Sequence, residues 1–267
     1  MSLLAQISRL LTDPRLKGVD YDSDELLKLH REILFEKRMM REVFSEFYRE
    51  CMRVDAQQFA GNGRRVEIGA GVSFFKKLYP EVVSTDIKQA QNLDLVVDAL
   101  AMPFTNDSIR AIYGLNCFHH FPDPDRFFCE LERVLRPGGG CVLIEPYYGP
   151  VARRVFKKLF ATETFDLSQV KWKNSGNQVM SGANQALSYI IFVRDRDKLT
   201  SLHPRLEIIY RKPLNNYLRY LLCGGLNFRS LLPGFTAPLI KCVEWLLTPL
   251  NRLIALHHII VIRKRST

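Results

Sequence analysis

Four short stretches of the chain hold residue types that can do chemistry. Val66-Glu67-Ile68 runs into Gly69-Ala70-Gly71, and a second apolar run, Val82-Val83-Ser84-Thr85, ends in Asp86. Strand, glycine turn, helix-like stretch (Ser73 to Leu78), strand and acid form a nucleotide-binding arrangement. Bare glycine backbone can approach a ligand, and an acid about 20 residues on can accept both ribose hydroxyls. Further along, Asn116, Cys117, His119 and His120 follow one apolar run, and Glu145, Tyr147 and Tyr148 follow another. An open α/β sheet binds ligands beyond the carboxyl ends of its strands. His119 and His120 are therefore candidate general bases, because imidazole titrates near neutral pH. Glu145 is a candidate base or acceptor-orienting group.

The first motif also says which nucleotide. A dinucleotide turn, G-x-G-x-x-G, needs a third glycine so that helix and strand pack closely beside a pyrophosphate. Phe74 stands there instead. Glu67 would repel phosphate but suits an ammonium group. A ligand with adenosine at one end and a cationic amino acid at the other fits better than NAD, and S-adenosylmethionine is such a ligand.

From about Arg64 to Pro146 the chain resembles the class I S-adenosylmethionine-dependent methyltransferases, in the broad branch that includes the ubiquinone/menaquinone-biosynthesis type. Val66-Glu67-Ile68-Gly69-Ala70-Gly71 is similar to the family's E/D-x-G-x-G motif, and Asp86 to its ribose acid. Asp98-Ala99-Leu100-Ala101-Met102-Pro103-Phe104 resembles "D-A-x-x-L-P-F", whose acid faces the adenine amino group, with Met102 in place of leucine. Leu135-Arg136-Pro137-Gly138-Gly139 resembles "L-R-P-G-G", the turn before strand five. One such motif is weak; four in order are specific. The departure is Ser73, where many members carry glycine, which leaves the turn geometry open. The resemblance implies S-adenosylmethionine as cofactor, held by Glu67, Gly69, Ala70, Gly71, Asp86, Ile87, Asp98, Ala99 and Asn116. It also tempers the histidines. His119-His120-Phe121-Pro122-Asp123 is similar to a segment shared by members with different acceptors, so cleft architecture is the alternative to a base.

Composition sets bounds. The 267 residues, 47% hydrophobic, suit one sizeable α/β domain with extensions. Six scattered cysteines without a C-x-x-C pair imply a reducing, cytoplasmic compartment. Two adjacent histidines without further ligands imply no metal site. No signal-peptide pattern opens the chain, and no window reads as a transmembrane helix. Charge is uneven: residues 1–149 hold 19 Lys/Arg against 22 Asp/Glu, and residues 150–267 hold 19 against 6. The basic half favours anionic partners: a phosphorylated substrate, a lipid headgroup surface or nucleic acid. Charge for solubility alone is the plainer reading.

The elements that must position these groups follow from periodicity. Residues 1–60 read as a helical cap: Leu3, Leu4, Ile7, Leu10 and Leu11 recur at helical spacing before Asp13-Pro14. Asp22-Ser23-Asp24 caps a second helix; the resemblance implies that helices here cover the cofactor cleft, with Tyr21 against ligand or serving packing only. The resemblance implies a methyltransferase domain over residues 61–267, with its core at 64–146. Strands are expected at 65–68, 82–86, 95–97, 109–115 and 141–145, with a helix at 127–135 ended by Arg136-Pro137-Gly138. This predicts a doubly wound, mostly parallel seven-stranded Rossmann-like sheet. An acceptor-side extension spans 150–205, with a basic helix at 150–160 (Arg153, Arg154, Lys157, Lys158). Asn184-Gln185 and those bases are candidates for acceptor recognition, or a loop hydrogen bond and a solvated face. Strands six and seven are placed at 206–210 and 258–262, and His257-His258 reads as structural. Between them an apolar helical insertion, 211–257, mixes Leu, Trp and Tyr with isolated bases. It suits a membrane interface, a packed cap or a homodimer arm.

The expected function is methyl transfer from S-adenosylmethionine, on oxygen, to a sugar, saccharide-lipid or lipid-like acceptor, by an enzyme peripheral to the membrane. The alternatives are a soluble small-molecule methyltransferase and a non-enzymatic fold that binds nucleic acid or protein. Against nucleic acid, no RNA-binding module and no dense basic run with aromatics is present.

Overall fold

The structure is a computed structural model and describes residues 10–20, 23–72, 74–90, 92–160, 163–173 and 183–266. Positions 3–9 of the first helical pattern, Tyr21 and Ser73 lie outside the described residues.

Seven strands form one sheet in the order β3-β2-β1-β4-β5-β7-β6. They are β1 (Arg64–Ile68), β2 (Val82–Asp86), β3 (Leu95–Val96), β4 (Ile109–Leu115), β5 (Leu135–Pro146), β6 (Leu206–Pro213) and β7 (His257–Lys264). β1 pairs in parallel with β2 and β4, β2 with β3, and β4 with β5. β7 runs antiparallel to both β5 and β6. The expected mostly parallel, doubly wound sheet is what the chain forms. The strand order reverses between β1 and β4, the switch point at which such sheets open a crevice.

Both faces of the sheet are covered, as the near-continuous apolar strands require. α1 (Asp24–Glu36) starts at Ser23, whose hydroxyl accepts from Leu26 N at 3.2 Å. α2 (Arg38–Gln58) lays Met39, Val43, Phe47 and Val54 on the face that carries Tyr113, Val142 and Ile259. α3 (Phe74–Leu78) packs beside it. The other face, with Val66, Ile112, Leu143 and Ile260, is covered by α4 (Pro124–Val134) and by residues 187–202. Alternate residues of β5 serve opposite faces, Val142 one and Leu143 the other.

Asp55 of α2 is 1% exposed and ties this helix to the sheet. Its carboxylate accepts from Arg65 at 2.5 Å, Arg110 at 2.7 Å and the Tyr113 hydroxyl at 2.9 Å. A buried charge with three donors is tolerated; stripped of them it is not.

Two boundaries differ from expectation. Residues 135–139 belong to β5 rather than to a turn before it, because Leu135 already pairs with Ile109. The register then shifts, and Gly140 pairs with Ala111. The family-like Arg-Pro-Gly-Gly stretch is thus a bulge inside the strand, with Gly138 at φ 75°. The insertion is shorter than 211–257, since β6 continues to Pro213 and β7 opens at His257.

Between β5 and β6 lie α5 (Pro150–Lys158), α6 (Leu187–Tyr189, continuing into a π turn) and α7 (Arg196–Leu202). The 214–256 segment holds α8 (Tyr217–Leu222), α9 (Ala237–Leu246) and α10 (Asn251–Ile254). It docks on α2 through Arg219, which is 2% exposed. The Arg219 guanidinium donates to Glu244 and to Glu46, each at 2.6 Å.

Candidate functional site

The tips of β1 and β2 form one unit. Thr85 Oγ1 donates to the Glu67 carbonyl at 2.7 Å, and Ala70 N to the Thr85 carbonyl at 2.9 Å. Gly69 and Gly71 sit at φ 59° and 50°, the left-handed region that L side chains avoid. At Gly69 a Cβ would lie 2.5 Å from Cys117 Cβ, so the β1 turn is pressed against the end of β4. Ala70 lies between the glycines and is buried.

Asp86 closes this turn. Its Oδ2 accepts from Gly71 N at 2.9 Å and its Oδ1 from Lys88 N at 3.1 Å. The carboxylate is half-buried, and each oxygen keeps acceptor capacity. Ile87, next along, is half exposed beside it. Asp98 caps the turn after β3, accepting from Leu100 N at 2.8 Å, and its side chain is exposed while Ala99 is buried. That turn is held by α4: Glu130 accepts from Met102 N at 2.6 Å, and Arg133 donates to the Met102 carbonyl at 2.7 Å.

Asn116 ends β4 at φ 49°, and its Oδ1 is buried without a hydrogen-bond partner. A buried amide oxygen left unmatched at a strand tip is what a missing donor would explain. The helix α1 lies over the glycine turn, with Leu27 3.6 Å from a Cβ built on Gly71 and Arg31 donating to the Val72 carbonyl at 3.0 Å. Two open clefts, one lined by Gln58, Gly138, Glu207 and Arg263 and the other by Val170, Arg194 and Lys198, lie away from these tips.

Glu67 does not stand where the ammonium-facing expectation puts it. It is 2% exposed, and Ser84 Oγ donates to it at 3.4 Å. Burial pushes its carboxyl up to about 8, against the lowering hydrogen bonds of Ser84 and Tyr48. At neutral pH it carries a proton and braces the β1–β2–α2 junction.

The histidines form a second cluster. Glu145 at the end of β5 is fully buried; its Oε1 accepts from Cys117 N at 3.0 Å and Phe118 N at 2.9 Å. Its Oε2 lies 2.5 Å from His119 Nδ1. With those positions filled, Glu145 holds the β4 tip and orients His119 rather than presenting a free base. On the far side His119 Nε2 faces Glu163 Oε2 at 3.2 Å, and His120 Nε2 faces Glu163 Oε1 at 3.8 Å. Burial disfavours the His119 imidazolium, but Glu145 and Glu163 outweigh it and raise the ring to about 10. His119 therefore keeps its proton at neutral pH, which does not suit a general base. Burial also raises the Glu163 carboxyl, and the facing His119 outweighs that, so it stays below its ordinary range.

Sequence reasoning missed Glu163. It follows α5 in the chain with no motif around it; only the fold brings it to the histidines. Asn184 and Gln185 serve as loop clamps. Asn184 Oδ1 accepts from Asp166 N and Ala186 N, each at 3.0 Å, and Gln185 donates to the Phe160 carbonyl at 3.2 Å. The bases of α5 are exposed, with Ala152 and Phe156 buried on its other side. His257 and His258 are buried in β7 and pushed down to about 3 by burial, which makes them neutral core groups.

A methyltransferase-domain family model matches residues 66–143. Methyltransferase GfsG of Streptomyces halstedii is 38% identical over 58 residues, 22% of this chain and 20% of that protein. Phosphoethanolamine N-methyltransferase 2 of Caenorhabditis elegans is 32% identical over 79 residues, 28% of this chain and 18% of its own. The chain thus spans about a fifth of the length of the curated relatives it matches. In fold, it is similar to geranyl diphosphate C-methyltransferase of Streptomyces coelicolor A3(2), with TM-score 0.50 at 16% identity over 96% of this chain and 89% of that one. The matched segment runs from β1 to β5 and contains both glycines, Asp86, Asp98 and the histidine pair. By that match, residues 66–143 are a methyltransferase domain, and the sheet has the fold of this structural neighbour.

Proposed function

We propose that the protein transfers a methyl group from S-adenosylmethionine to an oxygen of a saccharide-lipid or other lipid-like acceptor taken from an anionic membrane surface. The cofactor part rests on the tips of β1, β2 and β4. Asp86 would hold the ribose hydroxyls, Asp98 the adenine amino group, and Asn116 Oδ1, buried and unmatched, would accept from the amino acid end. The group supplies an already activated methyl on sulfur. The residues of this chain need only bind it, align the acceptor and exclude water.

The acceptor class rests on one observation: the outer face of the 214–256 segment is apolar and uncovered. Phe235 is 74% exposed, Leu239 70%, Trp245 71% and Leu246 67%. On the same helix Ala237, Ile240 and Glu244 are buried, so α9 has a seated side and a bare one. Its neighbour α10 exposes Leu253 and Arg252 and packs against α5, whose Arg153, Arg154, Lys157 and Lys158 face outward. Large apolar side chains flanked by a basic helix match an anionic headgroup boundary. No helix among the described residues is long and apolar enough to cross a membrane, so the contact would be peripheral.

Sedimentation with phosphatidylglycerol vesicles, against neutral phosphatidylcholine, tests the surface. The full chain should pellet with the anionic vesicles, and a Leu239→Glu/Leu246→Glu variant should stay in solution. Failure of the full chain to bind, with a mass doubled at high concentration, would assign the face to a second copy. Failure with a monomeric mass would leave the soluble small-molecule reading in its place.

A further inference from the structure

The two histidines and the glutamate that the fold adds to them make a donor set that neither the family match nor the methyl-transfer reading uses. One ring nitrogen each of His119 and His120 and a Glu163 oxygen lie within 4.8 Å of one another. We propose that these three side chains bind a divalent transition-metal cation, which displaces the Nε2 proton of His119 to solvent.

Four features carry this. First, spacing: bonds of about 2.0–2.1 Å in a tetrahedral set place neighbouring ligand atoms roughly 3.3–3.4 Å apart. His119 Nε2 to Glu163 Oε2 is 3.2 Å, and His120 Nε2 to Glu163 Oε1 is 3.8 Å. Second, Glu163 Oε2 is buried against the His119 ring without an aligned hydrogen bond, so what holds it there is charge, which a cation between the two can supply instead. Third, His119 is already oriented as a metal-binding histidine is. Its Nδ1 is 2.5 Å from the Glu145 carboxylate, which Cys117 N and Phe118 N fix in turn. Such a carboxylate–histidine pair sets the ring so that Nε2 points at the ion. Fourth, the rings of His119 and His120 lie 4.2 Å apart, centroid to centroid, on one short helical turn, both toward one carboxylate.

Two imidazoles and one carboxylate select zinc, cobalt, ferrous iron or manganese over calcium or magnesium. Three protein ligands leave a position for an oxygen donor. The cluster sits at the carboxyl ends of β4 and β5, beside the turn that Cys117 shares with Gly69. A second group among the described residues, Asp125, Cys129 and His203, also brings three donors together. It lacks a buried orienting carboxylate, and its Cys129 is exposed. It serves as the internal control.

The test uses the full chain, freed of metal by a chelator and titrated with Co2+ and then Zn2+. The readouts are the visible absorption of four-coordinate cobalt and calorimetry. One equivalent should bind. Glu163→Gln and His120→Ala should abolish it, Glu145→Gln should weaken it roughly 10- to 100-fold, and Cys129→Ser should leave it unchanged. Far-UV circular dichroism of each variant, matching the parent chain, separates lost ligation from lost fold. The absence of saturable binding by the parent chain would overturn the proposal. So would binding that survives Glu163→Gln, or that disappears only with Cys129→Ser. None of these readouts depends on methyl transfer, so the metal site and the enzymatic reading stand or fall separately.

Discussion

The tips of β1 and β2 and the 214–256 segment are built by opposite logics. At the strand tips, groups close in sequence complete one another: two glycines at positive φ and Asp86 bonded to Gly71 N. Their polar atoms gather at the carboxyl end of the sheet. In the insertion, residues far apart meet under a cover: Glu46 of α2, Arg219 of α8 and Glu244 of α9 form a buried charge knot, and the large apolar groups face out. One region keeps its chemistry at the surface and its oil inside. The other reverses this, which is the pattern of a surface that meets something apolar.

Both regions hang on a buried charge, and breaking each should have different reach. Asp55→Ala would leave Arg110 buried without its carboxylate between α2, β1 and β4. Removing one partner from such a set costs about 3–5 kcal/mol. Urea unfolding should show the whole domain losing that stability in a single transition. Glu244→Ala takes one of the two carboxylates from Arg219, at a comparable local cost, but confines the damage. Limited proteolysis should cut within 214–256, while S-adenosylhomocysteine still binds. If Glu244→Ala abolishes that binding, the insertion is part of the cofactor site and the contrast fails.

A gentler probe is pH. In the metal-free chain His119 is raised from 6.5 to about 10, so its contribution is full below 6.5 and is lost as pH rises toward 10. Glu67, raised from 4.5 to about 8, adds a loss over the lower window, 4.5 to 8. The melting temperature should therefore fall on the alkaline side, and His119→Gln should flatten that fall above pH 8. His257 and His258, lowered to about 3, have the opposite sense: their contribution is full above 6.5 and is lost as pH falls toward 3. The smallest effect should come from Leu239→Glu/Leu246→Glu. Exposed substitutions alter stability by about 0.5 kcal/mol or less each, so this variant should melt like the parent and lose only vesicle binding.

How much was legible follows from which contacts are local. β1, β2, β4, the glycine turn and Asp86 could be read because period, turn chemistry and spacing lie within one short stretch. The bulge at Arg136-Pro137-Gly138 reads as a turn in sequence, because its glycines look alike in either setting and only pairing of Leu135 with Ile109 decides. Local sequence points Glu67 at an ammonium group, yet Tyr48, far upstream on α2, bonds to it in the interior; no local pattern reports that. Glu163 was invisible for the same reason, since a lone glutamate in a loop acquires meaning only when the chain brings it to His119. The apolar insertion was visible as composition, but which of its sides is bare depends on where Arg219 pins it.

Calorimetric titration of S-adenosylhomocysteine into the full chain and into Asp86→Ala tests the central claim most directly. Hydrogen bonds to a charged carboxylate are worth about 1.5–3 kcal/mol each, so with two ribose hydroxyls on Asp86 the parent should bind and the variant should bind roughly 150-fold more weakly or worse, with its melting transition otherwise cooperative. Equal affinity in the two chains would contradict the ribose role of Asp86, and the absence of binding by the parent would contradict the cofactor site itself.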